Sequence, residues 1–246
     1  MKKCMVALAL IAAFGLSACG SSEVKRDEAF DAERFIKKAD QLIDKKEYEE
    51  ARKVLVEVKN RDTSKKLAPV AQLKIADSYI KDGDPDAGVA EYQRFLDLYP
   101  ANQYASYAQY QIAMAFYSQI ESPDRGAGTA KRALKEFYKL KELYPRNPYR
   151  EFVDLRIDKC KTIIADGELM IGEFYYRKKA YEAALGRFEG LLKDYPDYKR
   201  ADEALLLIGK SYNALKKPDN AKDALNRLIQ KYPDSKAAAD ARKIAR

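Results

Sequence analysis

From about residue 28 onward, apolar positions recur at intervals of three and four, and no segment keeps up a strict apolar–polar alternation. That pattern predicts amphipathic helices, each burying one face, and no strands. One phrase punctuates the helical runs. Leu98-Tyr99-Pro100, Leu143-Tyr144-Pro145, Asp194-Tyr195-Pro196 and Lys231-Tyr232-Pro233 each close a run. Each is followed by Asn102, Asn147, Asp197 or Ser235, types that favour the start of a helix. Proline ends the old helix and the capping type opens the next, so these phrases read as joints between units.

Within the units, small residues recur where two helices would cross closely. Ala39 and Ala51 are 12 positions apart, as are Ala76 and Gly88, Gly172 and Ala184, and Gly209 and Ala221. Three residues after each first member stands Leu42, Tyr79, Tyr175 or Tyr212, and four after each second member stands Leu55, Tyr92, Phe188 or Leu225. Small residue, bulky residue, turn, small residue, bulky residue, then proline is the tetratricopeptide pattern. It predicts antiparallel helix pairs, with small side chains at the crossings and bulky ones between neighbouring pairs. A further unit fits around Ala113, Phe116, Ala133 and Phe137, with its small pair 20 apart, so eight extra residues are expected in the turn around residues 121–128. Tyr149 to Lys178 reads as one long helix or as two broken near Asp166-Gly167. The predicted fold is all-α: five tetratricopeptide-like repeats forming an α-solenoid, closed by a capping helix from the Ala-rich stretch Ser235 to Arg246.

The N-terminus differs in kind. Lys2 and Lys3 precede an apolar run of 12 residues, Met5 to Leu16, too short to span a bilayer but suited to a secretion signal. It ends on Leu16-Ser17-Ala18-Cys19-Gly20, which resembles the lipobox of bacterial lipoproteins. The resemblance implies cleavage before Cys19, acylation of its thiol and amine, and, with Gly20 rather than Asp in second place, delivery to the periplasmic face of the outer membrane. The chain then divides into a signal peptide at 1–18, a lipidated tether at 19–27, repeats one to three at 28–145, and repeats four and five with the last helix at 146–246.

Composition narrows the chemistry. The 246 residues are 47% hydrophobic and 34% charged and contain no histidine, which removes the commonest general base and metal ligand. No phosphate loop and no Cys/His cluster is present, so no catalytic residue, metal or cofactor is expected. The net charge is +8, or +6 without Lys2 and Lys3. Acidic residues interleave with the basic ones throughout, which reads as solvated helix faces rather than a nucleic-acid surface. With Cys4 and Cys19 accounted for by the signal and the lipid, Cys160 is a single thiol at a helical core position.

First helices of tetratricopeptide units line a concave groove. In repeats two and three the groove-facing positions include Val70, Leu73 and Ile80, then Tyr107, Tyr110, Met114 and Tyr117. Lys74 is the only nearby cation and the asparagines of a carboxylate clamp are missing, so the stripe suits an extended apolar segment held by rings. Equally, neighbouring helices or the chain's own tether would cover such a stripe.

Lipobox, tether and five uneven repeats together resemble the BamD family. The closest stretch is Glu173-Phe-Tyr-Tyr-Arg-Lys-Lys-Ala-Tyr-Glu-Ala-Ala184, continuing through Arg187, Glu189, Gly190 and Leu191 to Asp194-Tyr-Pro-Asp-Tyr198. Glu28 to Phe35, Lys46 to Leu55 and Asp124 to Pro145 are similar to the family's first and third repeats. The resemblance implies an outer-membrane scaffold of the β-barrel assembly machinery. Its partners would be the barrel-forming subunit, other assembly lipoproteins and unfolded outer-membrane protein segments. Tyr176, Arg187 and Glu189 are the candidate docking residues, with Tyr175 assigned to the repeat core. Arg187 and Glu189 read equally well as intramolecular helix charges. The alternative is an adaptor lipoprotein of another envelope machine, such as a secretin pilotin or a cell-wall synthesis adaptor.

Overall fold

The structure is a computed structural model and describes residues 30–244; the signal, Cys19 and the tether lie outside them. The described helices belong to one compact unit. Among the described residues there are eleven helices and no strand: α1 Ala32–Asp44, α2 Tyr48–Arg61, α3 Ala68–Asp82, α4 Pro85–Leu98, α5 Ala105–Ser118, α6 Pro123–Leu143, α7 Arg150–Arg177, α8 Tyr181–Asp194, α9 Ala201–Ala214, α10 Pro218–Lys231 and α11 Lys236–Ile244. Each helix packs chiefly on its neighbours in sequence, and α11 also reaches back to α9. This is an array of five tetratricopeptide-like pairs and a final helix.

The small residues stand where the spacing puts them. Ala39, Ala51, Ala76, Ala113, Ala133 and Ala184 are completely buried, and Gly88, Gly172 and Gly209 are buried with them. A Cβ on Gly88 would come within 2.6 Å of Ile80 Cδ1, and one on Gly209 within 2.6 Å of Leu225 Cδ2. At Gly172 it would lie 2.3 Å from the ring of Phe188. At these three crossings the close approach of the helices is made possible by the missing methyl group.

Four of the five turns inside a pair, all but that of repeat three, are closed by one device. Lys46, Gly83, Lys179 and Lys216 take positive φ, at 64°, 87°, 61° and 57°. The next amide, of Glu47, Asp84, Ala180 or Lys217, donates back to the carbonyl of Leu42, Tyr79, Tyr175 or Tyr212 at 2.8–3.0 Å. These are the bulky positions that the repeat pattern singles out. Only repeat two uses glycine at the left-handed site; the other three place lysine there, at the steric cost that conformation carries for a side chain.

Two expectations are corrected and one open alternative is decided. The eight inserted residues do not lengthen a turn. They extend the second helix of repeat three, which starts at Pro123 and runs 21 residues. Proline suits the first position of a helix, where its missing N–H is not needed. The shift is visible in a repeated crossbar. Gln72 donates to the Glu91 backbone and carboxylate, 19 positions on, and Gln109 does the same to Glu136, 27 positions on. Tyr149 to Lys178 resolves to one helix of 28 residues, with Gly167 buried inside it. The third concerns Ala237, which reads as an exposed position of the last helix. It is buried with Ala238 and Ala241 against Leu205, Leu225 and Leu228. An Ala184→Leu variant, overpacking the repeat-four crossing by about 1–3 kcal/mol, is therefore compared with exposed Ala239→Leu, which should leave the melting temperature almost unchanged.

Of the four predicted capping residues, Ser235 caps α11 by accepting from the Ala238 amide at 3.1 Å. Asn102 and Asn147 close turns just before α5 and α7, accepting from the amides of Tyr104 and Tyr149 at 3.0 and 2.9 Å.

Candidate peptide groove and docking surface

Successive first helices are tied to one another by polar and aromatic contacts. Lys74 on α3 pairs with Asp40 on α1 at 2.6 Å. Tyr107 on α5 donates to Asp77 Oδ1 on α3 at 2.8 Å, and the Tyr92 hydroxyl donates to the same oxygen. Tyr110 on α5 stacks on Tyr149, the residue before α7, with centroids 4.0 Å apart and planes 11° from parallel. Asp166 on α7 accepts from the Tyr198 hydroxyl and pairs with Arg200 at 3.5 Å.

These ties change the predicted groove. Leu73 is only 6% exposed and belongs to the core around Tyr92 and Phe95. Ile80 turns toward its own partner helix and fills the space left by Gly88. Leu73 is therefore a core residue and Ile80 packs half-buried against the same core, because a first helix must also bury the face it turns to its second helix. Val70 and Tyr107 are half-buried. Tyr110, Met114 and Tyr117 are half-buried against the core of repeat three, with Tyr117 edge-on to Phe137 at 6.0 Å. The aromatic part of the stripe is thus partly covered, by Tyr149 and by the first turns of α7.

Lys74, the single cation read near the groove, is held by Asp40. The structure brings another one there. Arg156 on α7 lies 5.9 Å from the Tyr110 ring centroid, 5.7 Å from that of Tyr117 and 5.8 Å from that of Phe152. Next to it Phe152 and Leu155 are 58% and 69% exposed. Sequence spacing hides this cluster, since Arg156 is 46 positions from Tyr110 and in another repeat.

On the docking side, Arg187 pairs with Glu168 at 3.0 Å, and Glu168 also receives Lys131 at 3.3 Å, so one carboxylate joins α6, α7 and α8. Glu189 accepts from the Tyr212 hydroxyl at 2.7 Å and walls a hollow of about 370 Å³ with Asp223 and Arg227. Tyr176 is half-buried and edge-on to Tyr181 at 5.5 Å, while Phe174 is 49% exposed beside exposed Met170 and Ile171. The outward ring of this segment is Phe174 rather than Tyr176. Phe174 lies about one helical turn before the turn at Lys179, which Tyr176 helps to close by accepting from the Lys179 amide.

The buried acids make the fold sensitive to alkali. Burial, reinforced by the Asp77 carboxylate, holds the protons of Tyr92 and Tyr107 well above the ordinary tyrosine value. Burial and Asp166 do the same for Tyr198. Burial pushes the Cys160 thiol up to about 11. Each group binds its proton more tightly when folded. Stability present below the unfolded values, 9.0 for the thiol and 10.0 for the phenols, is therefore lost as pH rises through the folded ones. The denaturant midpoint should be flat up to about pH 9 and fall above it; a midpoint that rises there would contradict this packing.

Among the described residues no cluster of His, Cys, Asp or Glu is placed to hold a metal, and no helix is long and apolar enough to cross a membrane. A comparison with known families decides the lineage: the family described as "YfiO: Outer membrane lipoprotein" matches residues 28–227. The chain belongs to the YfiO outer membrane lipoprotein family. YfiO-family relatives named "Outer membrane protein assembly factor BamD" bear this out. The one from Vibrio cholerae is 31% identical over 144 residues, 54% of this chain and 60% of that protein. The one from Rickettsia prowazekii is 29% identical over 164 residues, 67% of this chain and 65% of that protein. The one from Neisseria gonorrhoeae is 24% identical over 222 residues, 84% and 82% of the two chains. The first two are thus matched over less than two thirds of their own length. The YfiO match begins four residues before α1 and ends within α10, so it takes in both members of every helix pair.

Proposed function

We propose that the protein is a lipid-anchored scaffold of the machinery that assembles β-barrel proteins in the outer membrane. In this reading Cys19 holds it at the periplasmic face. Repeats four and five dock on the barrel-forming subunit and other assembly lipoproteins, and repeats one to three receive unfolded barrel segments. The family match over 28–227 carries the reading. Surface chemistry supports it: α7 exposes Phe152 and Leu155 in its first turns and Met170, Ile171 and Phe174 in its last ones. Exposed apolar residues grouped in this way are what protein partners cover. The reading assigns no catalytic step and no cofactor.

Depletion tests it. Loss of the protein is expected to lower the amount of folded barrel proteins in the outer membrane before other envelope functions change. Normal barrel levels together with failed secretin assembly or failed cell-wall synthesis would replace this reading with that of an adaptor for another machine.

The groove has its own test. Tyr110→Ala is expected to weaken binding of a C-terminal barrel peptide by about 1–2 kcal/mol, in the range of interface anchors. Because Tyr110 also stacks on Tyr149, affinity is read on the folded fraction. Tyr79→Ala, which removes a ring lying 4.1 Å under the Arg52 guanidinium, should lower stability and leave that affinity unchanged. Unaltered affinity in Tyr110→Ala would make the ring a core residue only.

A further inference from the structure

We infer that one end of the helix stack, formed by the joints that follow repeats one, two and three, rests on the phospholipid surface. Leu98, Tyr104 and Leu143 enter the boundary between headgroups and acyl chains there, and Arg146 and Arg150 lie at headgroup level. The inference rests on the reading of Cys19 as a lipid anchor, and it names the face that the anchor brings down.

These three joints share one end because consecutive helices run in opposite directions and each joint has only six residues. Tyr144 ties two of them together, packing against the core of Tyr99 and Ala105 and also against that of Tyr149. The last two pairs are set back. Lys141 near the end of α6 meets Asp154 near the start of α7, whereas the joint after α8 lies much further along. Its Tyr198 hydroxyl donates to Asp166, sixteen residues after Arg150 and so about 24 Å down the α7 axis.

Side chains change where the joints are set back. The last residues of α2, α4, α6, α8 and α10 are Arg61, Leu98, Leu143, Asp194 and Lys231, and all five are exposed. The position needs no apolar side chain for packing, since three pairs hold a charge there. The two leucines are 56% and 53% exposed, and both stand on the projecting end. Tyr104, 42% exposed, opens α5 beside them. Exposed Lys65 and Lys66 belong to the first of these joints, and exposed Arg146 and Arg150 flank the third. Glu142 and Glu151 are exposed with them, so the edge is only mildly basic and apolar contact dominates. Leucine and tyrosine rimmed by arginine suit a lipid interface, where rings and aliphatic chains sit below the headgroups and guanidinium groups among them. Phe152 and Leu155 on α7 adjoin this edge and are left to the protein partner argued above.

The tether selects the same end. α1 is the antiparallel partner of α2, so it begins where the first joint lies. Phe30 stands eleven positions after Cys19, which keeps the start of α1 within about 40 Å of the acylated residue. Three side chains gain too little to hold a free chain on a membrane. The anchor makes their contact intramolecular, so a weak interface fixes the orientation once the acyl chains have fixed the attachment.

The full mature, lipidated chain is reconstituted in vesicles of phosphatidylethanolamine and phosphatidylglycerol. It carries one fluorophore, at Gln103→Cys on this edge or at Lys178→Cys, which is 28 residues from Arg150 and about 42 Å along α7. Cys160 is fully buried and leaves the label to the new site. Brominated acyl chains are expected to quench the label at 103 and to spare the one at 178. Leu98→Gln with Leu143→Gln should lower the ratio of seated to unseated protein at least about tenfold, with helicity and vesicle flotation unchanged. Comparing the two labels on otherwise unaltered protein keeps the test valid should the double variant fold poorly. Equal quenching at 103 and 178, or quenching at 178 alone, overturns the inference, as does full quenching at 103 in the double variant. A label at 103 that is spared in vesicles, on protein that still floats with them, overturns it and leaves the anchor in place. Shielding of that label only in native outer membrane would then give the edge to a protein partner. If the chain does not float with vesicles, the inference fails together with the anchor reading.

Discussion

Gly172→Ala is expected to destabilise the fourth repeat by about 1–3 kcal/mol, although alanine is the better helix former by about 1 kcal/mol. The added Cβ would lie 2.3, 2.7 and 2.9 Å from three ring atoms of Phe188. That ring cannot step aside. Phe188 is fully buried among Leu169, Ala184, Leu185 and Leu191, so relief requires α7 and α8 to separate and open the core between them. The same substitution at Gly186 on α8 meets nothing within 4 Å. Gly186→Ala should therefore stabilise by about 0.5–1 kcal/mol. A single chemical change, made on each of two facing helices, is predicted to have opposite signs. Repeat arrays need not unfold as one unit, so amide exchange on α7 and α8 is a sharper readout than a global melt. A Phe188→Leu change on the Gly172→Ala background should recover part of the loss. If Gly172→Ala stabilises as Gly186→Ala does, the helix crossing has been assigned to the wrong face.

Cys19→Ala is expected to release the protein completely from the membrane while leaving it folded. In the proposed reading attachment rests on acyl chains. A single chain gives only marginal, reversible binding, whereas several together hold firmly. The described helices offer no substitute, since none is long and apolar enough to cross a bilayer. After lysis the variant should appear in the soluble fraction with unchanged helicity. Sedimentation with outer membranes in high salt would mean either that the lipidation site is misassigned or that a tight partner suffices. Detergent that dissolves the partner complex separates those two outcomes.

The parts of the fold that were legible in the sequence are those set by local spacing. A small residue is required at each crossing whatever the rest of the molecule does, so Ala39/Ala51, Ala76/Gly88, Gly172/Ala184 and Gly209/Ala221 mark the pairs directly. Asp166-Gly167 looked like a break because glycine weakens a helix interior. Packing of Ile164, Ala165 and Leu169 on either side outweighs that loss. The insertion in repeat three looked like a longer turn because Pro123, Gly126 and Gly128 are turn residues. Yet Gly126 is buried, its Cβ position 3.0 Å from Ile120, and the segment joins the helix. The candidate site was less legible, because its contacts run between repeats. Spacing within α3 cannot tell that Ile80 faces Gly88. Nor can α5 alone reveal that Tyr149 and Arg156 from the long α7 close over Tyr110 and Tyr117. The sequence leaves Arg187 and Glu189 open as docking residues or as intramolecular helix charges, and only the neighbouring helices show Glu168 and Tyr212 as their partners.

The central claim is that this array of helix pairs is a scaffold for outer-membrane barrel assembly. The direct measurement is affinity purification of the tagged, lipidated protein from detergent-solubilised outer membrane, with the co-purifying proteins identified by mass spectrometry. The account predicts recovery, in near-equal amounts, of a large β-barrel protein carrying periplasmic repeat domains. Recovery of a secretin or of cell-wall synthesis enzymes in that ratio, with no such barrel protein, would contradict it.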